Sequence, residues 1–138
     1  MKYLLIPILL MFAISTYAQS EKDEKEAIAH TIQLYFDGMI ERDRSKLEEA
    51  FHPEARLIGY RGENFTITSF EEWARGTAKG EKRDLKQHTN KLLDLDLKGY
   101  TALAKTELFW PGIYYFDYLT LIKIDGQWKI VHKTWYEE

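Results

Sequence analysis

Tyr35 and His88 are the two side chains of this sequence that are the strongest candidates to bind or protonate a small molecule. Tyr35 belongs to an apolar repeat of helical spacing, so its ring is expected in the core. Its hydroxyl then either donates to a ligand or pairs with backbone or water. His88 carries an imidazole, which can bind or protonate a ligand, and it shares a strand face with Asn90. It is therefore either an acid–base group or a partly exposed histidine at the end of a strand.

The remaining histidines are weaker candidates, and the sequence indicates no metal site. His132 lies alone within a strand, His30 lies off the apolar side of its helix, and His52 precedes a proline. No His, Asp or Glu residues have a spacing typical of metal ligands, and cysteine is absent. Without cysteine there are no thiolate ligands, cysteine nucleophiles or disulfides. We therefore expect neither a metal nor a cofactor.

The N-terminus has the pattern of a secretory leader. Lys2 precedes an apolar run that is too short to span a membrane and that leads to a small-residue cleavage site at Ala18. We predict a signal peptide over residues 1–18 and a single domain over residues 19–138. The domain is expected to be exported, periplasmic or extracellular, with no membrane attachment after cleavage. The formal net charge is −3 and the basic residues form no stripe, which argues against nucleic acid as a partner.

The first half of the domain is predicted to alternate short helices with one hairpin. Apolar residues recur at helical spacing, and two Ser-x-x-Glu sequences have the pattern of a capping box. The expected elements are a helix over 24–42, a helix opened by Ser45 and Glu48 and ended by His52-Pro53, strands over 55–60 and 64–68, and a helix opened by Ser69 and Glu72 and closed by Gly76 or Gly80.

The second half is predicted to be an antiparallel meander of four strands, over 87–97, 100–110, 114–124 and 127–136. The breaks between them are turn dipeptides, and Asp125-Gly126 suits a type I′ hairpin turn. Helices first and hairpin-linked strands afterwards are typical of an α+β fold. We predict three N-terminal helices packed on a strongly curved, mostly antiparallel sheet of about six strands.

Aromatic residues crowd the strand over 114–124. Alternation places Tyr115 and Asp117 on one face. The opposite face carries Tyr114, Phe116, Tyr118 and Thr120. One face would line a cavity and the other would pack against a second subunit, or both would fill the core.

Three sequence strings resemble the nuclear transport factor 2-like superfamily, and within it the putative lumazine-binding branch of the polyketide cyclase and ketosteroid isomerase-like fold. The strings are Tyr35-(x)7-Asp43, Leu47-x-x-Ala50-Phe51-His52-Pro53-x-Ala55, and Asp117-Tyr118-Leu119-x-Leu121-x-Lys123-Ile124-Asp125-Gly126-x-Trp128-Lys129-Ile130-Val131-x-Lys133. The resemblance implies a cone-shaped domain with a pocket between helices and sheet, and often a homodimer formed through the sheet.

The resemblance also allows the active-site positions of related enzymes to be carried over. The oxyanion-hole phenol of the isomerases falls on Tyr35, their general base on Gly59, their protonated acid near Thr120 and a pocket tryptophan on Trp135. A catalytic histidine of scytalone dehydratase falls on His88. Its Tyr-Asp pair, however, falls on Met39 and Ile40. Because the base of the isomerases and the Tyr-Asp pair of the dehydratase are both missing, the resemblance argues against both activities.

We therefore expect an exported, non-enzymatic domain that binds a small apolar or aromatic molecule in an aromatic-lined pocket. The alternatives are a cofactor-free lyase or isomerase of the polyketide cyclase or dehydratase type, using His88 and Tyr35, and a dimeric protein-interaction module. The predicted ligand-binding residues are Tyr35, Tyr60, Trp73, His88, Trp110, Tyr118, Thr120 and Trp135.

Overall fold

The computed structural model describes the backbone of residues 5–138 and the side chains from residue 19 onward. The predicted signal peptide, residues 1–18, therefore lies outside the described side chains, and its cleavage after Ala18 stays a prediction. Within the described residues, no helix is both long enough and apolar enough to cross a membrane.

Three helices precede most of the sheet: α1 (Leu5–Glu41), α2 (Arg44–Ala50) and α3 (Phe70–Thr77). Helix α1 begins well before the predicted residue 24, but its buried stripe is the predicted one, with Ile28, Ile32 and Tyr35 almost fully buried. The helical repeat of apolar residues thus docks α1 on the sheet.

The two predicted capping boxes have different outcomes. Ser69 caps α3 as expected, since its hydroxyl accepts from the Glu72 amide at 3.2 Å. The box at Ser45 is wrong, because the N-cap of α2 is Asp43, whose carboxylate accepts from the Ser45 amide at 2.9 Å. A charged carboxylate two residues upstream competes better for the free amides than a hydroxyl does.

The helix ends also differ from the expectation. Helix α2 stops at Ala50, so that His52-Pro53 lies in the first strand and does not end the helix itself. Helix α3 stops at Thr77, with Gly76 inside its last turn and Gly80 beyond it.

The sheet has six strands: β1 (Phe51–Arg61), β2 (Asn64–Ser69), β3 (Thr89–Lys98), β4 (Thr101–Trp110), β5 (Ile113–Ile124) and β6 (Gln127–Glu137). Their order is β2-β1-β6-β5-β4-β3. All neighbours are antiparallel except β1 and β6, which are parallel. Asp125 and Gly126 both have positive φ, 50° and 80°, as a type I′ turn requires. The α+β prediction of three helices on a curved, mostly antiparallel sheet is confirmed.

A bulge in β6 decides which of its side chains face the helices. His132 pairs with Thr120 but the next pair is Ile130 with Leu121, so Val131 is the extra residue of the bulge. Side chains alternate across a strand only while the pairing is regular. The buried side of β6 therefore carries Ile130 before the bulge and Lys133 after it.

Candidate functional site

A buried phenol, a carboxylate and an ammonium group from three elements meet between α1 and the sheet. The Tyr35 hydroxyl of α1 donates to Asp117 Oδ2 of β5 at 2.7 Å and accepts from Lys133 Nζ of β6 at 2.6 Å. Lys133 Nζ also lies 3.1 Å from Asp117 Oδ1. The relative exposures are 0% for Tyr35 and Asp117 and 5% for Lys133. We call these three residues the buried trio.

The electrostatics of the trio keep its phenol protonated. Burial, and after it the charge of Asp117, raises the pKa of Tyr35 well above its ordinary value. The Thr106 hydroxyl adds a second donor to Asp117 Oδ2 at 3.3 Å. Lys133 in turn supplies the opposite charge that a buried carboxylate needs. The trio is therefore one buried ion pair, Asp117 with Lys133, to which the Tyr35 phenol is hydrogen-bonded.

A cavity of about 340 Å³ lies against the trio. Lys133 borders it, and the walls include Trp73 of α3, Trp110 of β4 and Trp135 of β6. Lys133 Nζ lies 5.7 Å from the Trp73 ring centroid and 5.0 Å from the ring of Tyr35, within cation–π distance. The cavity thus has aromatic walls and a cationic group on its buried side.

Three arginines also border the cavity. Arg61 is neutralised by Glu137, with 2.9 Å between Nε and Oε2. Arg83 stacks on the Trp110 ring, with its guanidinium carbon 4.6 Å from the centroid. Arg42 is the third. Together with Lys133 they make four basic residues in the cavity lining, against one acidic residue, Glu72.

The structure brings four of the eight predicted ligand-binding residues to the cavity or next to it. Trp73, Trp110 and Trp135 border the cavity. Tyr35 lies beside it, hydrogen-bonded to the lysine that borders it. These four residues come from four different elements, so that their proximity depends on the packing of α1 and α3 on the sheet.

The other four predicted residues lie elsewhere. Tyr60 and Tyr118 are 46% and 47% exposed, and Thr120 shares the outward face of β5 with Tyr118. His88 lies edge-on to Trp110 at 5.2 Å between ring centroids, outside the cavity lining, with Nδ1 2.7 Å from the Asp84 carbonyl oxygen. Tyr35, His88 and Thr120 therefore do not converge on one space.

Two positions carried over from related enzymes can be compared directly with the geometry. A Cβ added to Gly59 would lie 2.0 Å from the carbonyl oxygen of Trp135 and 2.7 Å from its ring, so no carboxylate fits there. The acid that partners the phenol is Asp117, not a residue near Thr120. Asp117 lies three residues before Thr120 along β5.

Sequence reasoning missed both charged members of the trio. Asp117 had a signal, because it alternates with Tyr115 and Leu119 in an apolar strand, and a carboxylate on a buried face requires a partner. Lys133 had none. Strict alternation from Ile130 places His132 inward and Lys133 outward, and only the bulge reverses this.

The described side chains contain no group of three or more His, Asp or Glu residues that could hold a metal ion. The donors at the cavity are instead phenol, ammonium, guanidinium and indole groups.

Comparison with known proteins gives one family match. Residues 23–136 match the family described as "Putative lumazine-binding". Among curated proteins, "Aldolase FrzH" from a Cladobotryum species is 29% identical over 118 residues, which span 82% of this chain and 90% of that protein.

Solved structures agree on the fold. An NTF-2-like protein of unknown function from Silicibacter pomeroyi aligns with a TM-score of 0.78 and 20% identity, over 86% of this chain and 98% of that one. A putative scytalone dehydratase from Novosphingobium aromaticivorans aligns with a TM-score of 0.65 and 15% identity, over 88% of each chain. At these identities the structural likeness extends to the fold alone.

Proposed function

This chain belongs to the family described as "Putative lumazine-binding", and on that premise we propose that it binds a small, flat aromatic molecule in the cavity beside Lys133. The supporting observation is a cavity of about 340 Å³ walled by three tryptophans, Trp73, Trp110 and Trp135. Flat aromatic walls with a few fixed polar groups are how proteins usually build sites for such molecules. The volume lies at the small end of ligand pockets, about 300–1,000 Å³.

We favour binding without turnover. Proton abstraction beside a carbonyl needs a base at the reacting carbon. The position that would supply it by analogy, Gly59, is closed by Trp135. The trio offers a hydrogen-bond donor, Lys133, and no base, because the Tyr35 hydroxyl already donates to the buried Asp117.

The test is a titration with lumazine and with riboflavin, followed by tryptophan fluorescence and by native mass spectrometry. Gly76 borders the cavity, and a Cβ there meets no atom within 4 Å. Gly76→Trp should therefore fill the space and abolish binding, while the matched control Gly76→Ala binds as the wild type does. The proposal fails if neither compound binds saturably, or if Gly76→Trp binds as well as Gly76→Ala.

A second candidate function is cofactor-free carbonyl chemistry of the lyase or aldolase type. It is favoured by the relative named as an aldolase and by the trio itself. A lysine ammonium has three N–H groups. Lys133 donates one of them to the Tyr35 hydroxyl and forms an ion pair with Asp117, so it keeps donor capacity for a carbonyl or enolate oxygen in the cavity. Such a donor stabilises negative charge that develops on oxygen.

An assay panel of aldol additions and cleavages separates this candidate from simple binding. Lys133→Met should abolish turnover, since it removes the donor. His88→Ala tests the sequence-based prediction that His88 is the acid–base group. Turnover that survives both substitutions, or no turnover with any substrate, rejects the candidate.

We also propose that the domain forms a homodimer through the outer face of the sheet. The support is a set of large apolar side chains left on that face, including Phe109, Tyr118 and Tyr136 at 44%, 47% and 45% exposure. Aromatic residues of this kind are enriched in interfaces. Light scattering that shows only monomers at micromolar concentration would reject this proposal.

Export is likewise proposed from the leader pattern of residues 1–18. N-terminal sequencing of the protein recovered from a secreting host should begin at Gln19. Recovery of the intact N-terminus would reject the proposal.

A further inference from the structure

Two arginines on one side of the cavity are anchored through neutral backbone groups. Arg42 follows α1 and donates from Nη1 to the Thr77 carbonyl at 3.0 Å and from Nε to the Glu81 carbonyl at 3.3 Å. Arg83 lies in the loop between α3 and β3 and donates from Nη1 to the Met39 carbonyl. Both side chains border the cavity. We call this pair the arginine side of the cavity.

Neither guanidinium of the arginine side forms an ion pair with an acid among the described side chains. The other two cations at the cavity do: Arg61 pairs with Glu137 at 2.9 Å and Lys133 with Asp117 at 3.1 Å. Burial, and after it the positive charge of Arg42, lowers the pKa of Arg83 below its ordinary value. Two like charges that repel each other beside an open cavity are stabilised when an anion lies between them.

The hydrogen-bonding capacity of the pair is also incompletely used. A guanidinium carries five N–H donors in a planar fork that matches a carboxylate bidentately. Arg42 uses two of its nitrogens and Arg83 uses one in the bonds described above. The contact of the Arg83 guanidinium with the Trp110 ring, 4.6 Å from its carbon to the centroid, also helps to hold the group in place.

We infer that the arginine side binds an anionic group of the ligand, so that the natural ligand is a planar aromatic carboxylate with its ring between the tryptophans. This inference rests on the proposed binding function and adds the chemical class of the ligand. It also accounts for why a cavity with aromatic walls is bordered by two arginines that form no ion pair with an acid among the described side chains.

The test compares two probes that differ in charge and are otherwise nearly matched in shape, 2-naphthoate and 2-naphthamide, by isothermal titration at low salt. The wild type should bind the carboxylate at least about tenfold more tightly, as expected for a charge-assisted pair. Arg83→Gln should weaken naphthoate about tenfold and leave naphthamide within about twofold. Arg75→Gln, an exposed change of the same net charge on α3 away from the cavity lining, should alter neither.

The outcomes separate the two proposals. Equal affinity of the wild type for the two probes overturns the inference and leaves the binding function standing. Binding of neither probe counts against the binding function itself. If Arg83→Gln weakens both probes equally, the residue only holds the loop against α1, and the inference fails. Should Arg83→Gln not fold, Arg42→Gln gives the same comparison from the other side of the pair.

Discussion

Replacing Asp117 by asparagine probes how strongly the buried trio stabilises the fold. The change keeps the size and shape of the side chain and leaves an oxygen that accepts from Tyr35. It removes the negative charge that lies 3.1 Å from Lys133 Nζ. Lys133, only 5% exposed, would then hold an ammonium group without a counter-ion.

We expect Asp117→Asn to lower the free energy of unfolding strongly because the ion pair is buried. Breaking a buried ion pair by removing one partner costs about 3–5 kcal/mol, a large part of the total stability of about 5–15 kcal/mol for a domain. The chain contains a matched exposed pair, Lys105 with Asp94 at 3.2 Å, whose side chains are 41% and 61% exposed. Asp94→Asn should cost less than about 1 kcal/mol, since water and salt screen such pairs.

Urea unfolding followed by tryptophan fluorescence at pH 7 measures both variants. A cycle with Lys133→Met completes the experiment. The double variant should lose less free energy of unfolding than the two single variants summed. Each single variant leaves one buried charge unpaired, whereas the double variant removes both charges. The reasoning is refuted if Asp117→Asn costs no more than Asp94→Asn, or if the effects at 117 and 133 simply add.

Three further outcomes follow from the same structure. The pKa of Tyr35 is raised in the folded state, so the protonated phenol stabilises the fold. This stabilisation is complete below the ordinary tyrosine pKa of about 10 and is lost as pH rises through the pKa of Tyr35 in the folded state. Wild type should therefore lose stability above pH ~10 more steeply than Tyr35→Phe, as urea midpoints across pH would reveal. Gly59→Ala places a Cβ 2.0 Å from the Trp135 oxygen and should cost at least about 3 kcal/mol; normal thermal stability would contradict this. Tyr118→Lys on the outer face should shift a dimer to monomer in light scattering without lowering the melting temperature, and an unchanged mass would argue against the sheet interface.

Short-range sequence signals accounted for most of the architecture. The Ser69 cap, the Asp125-Gly126 turn and the alternation along the meander all depend on neighbours a few residues apart. Backbone preferences and side-chain caps of this kind act within one turn or one hairpin, so they can be read without the rest of the chain. They predicted three helices on a curved, mostly antiparallel sheet.

The candidate site depended much less on local signals. Three tryptophans at the cavity were predicted, but Tyr118 and Thr120 were placed there as well and lie on the opposite face. Alternation separates the two faces of a strand and does not say which one the helices cover. The docking of α1 determines which face is covered, since its Tyr35 is hydrogen-bonded to Asp117 on the buried face of β5.

Lys133 is the residue that only the tertiary structure could place. Local alternation along β6 points it outward, and the single extra residue at Val131, defined by pairing with β5, turns it inward. Helix order, turns and strands were decided by neighbours in sequence because backbone conformation is local. The meeting of Tyr35, Asp117 and Lys133 was decided by strand register and helix docking, because burial of a charge and its pairing depend on chain segments that are about a hundred residues apart.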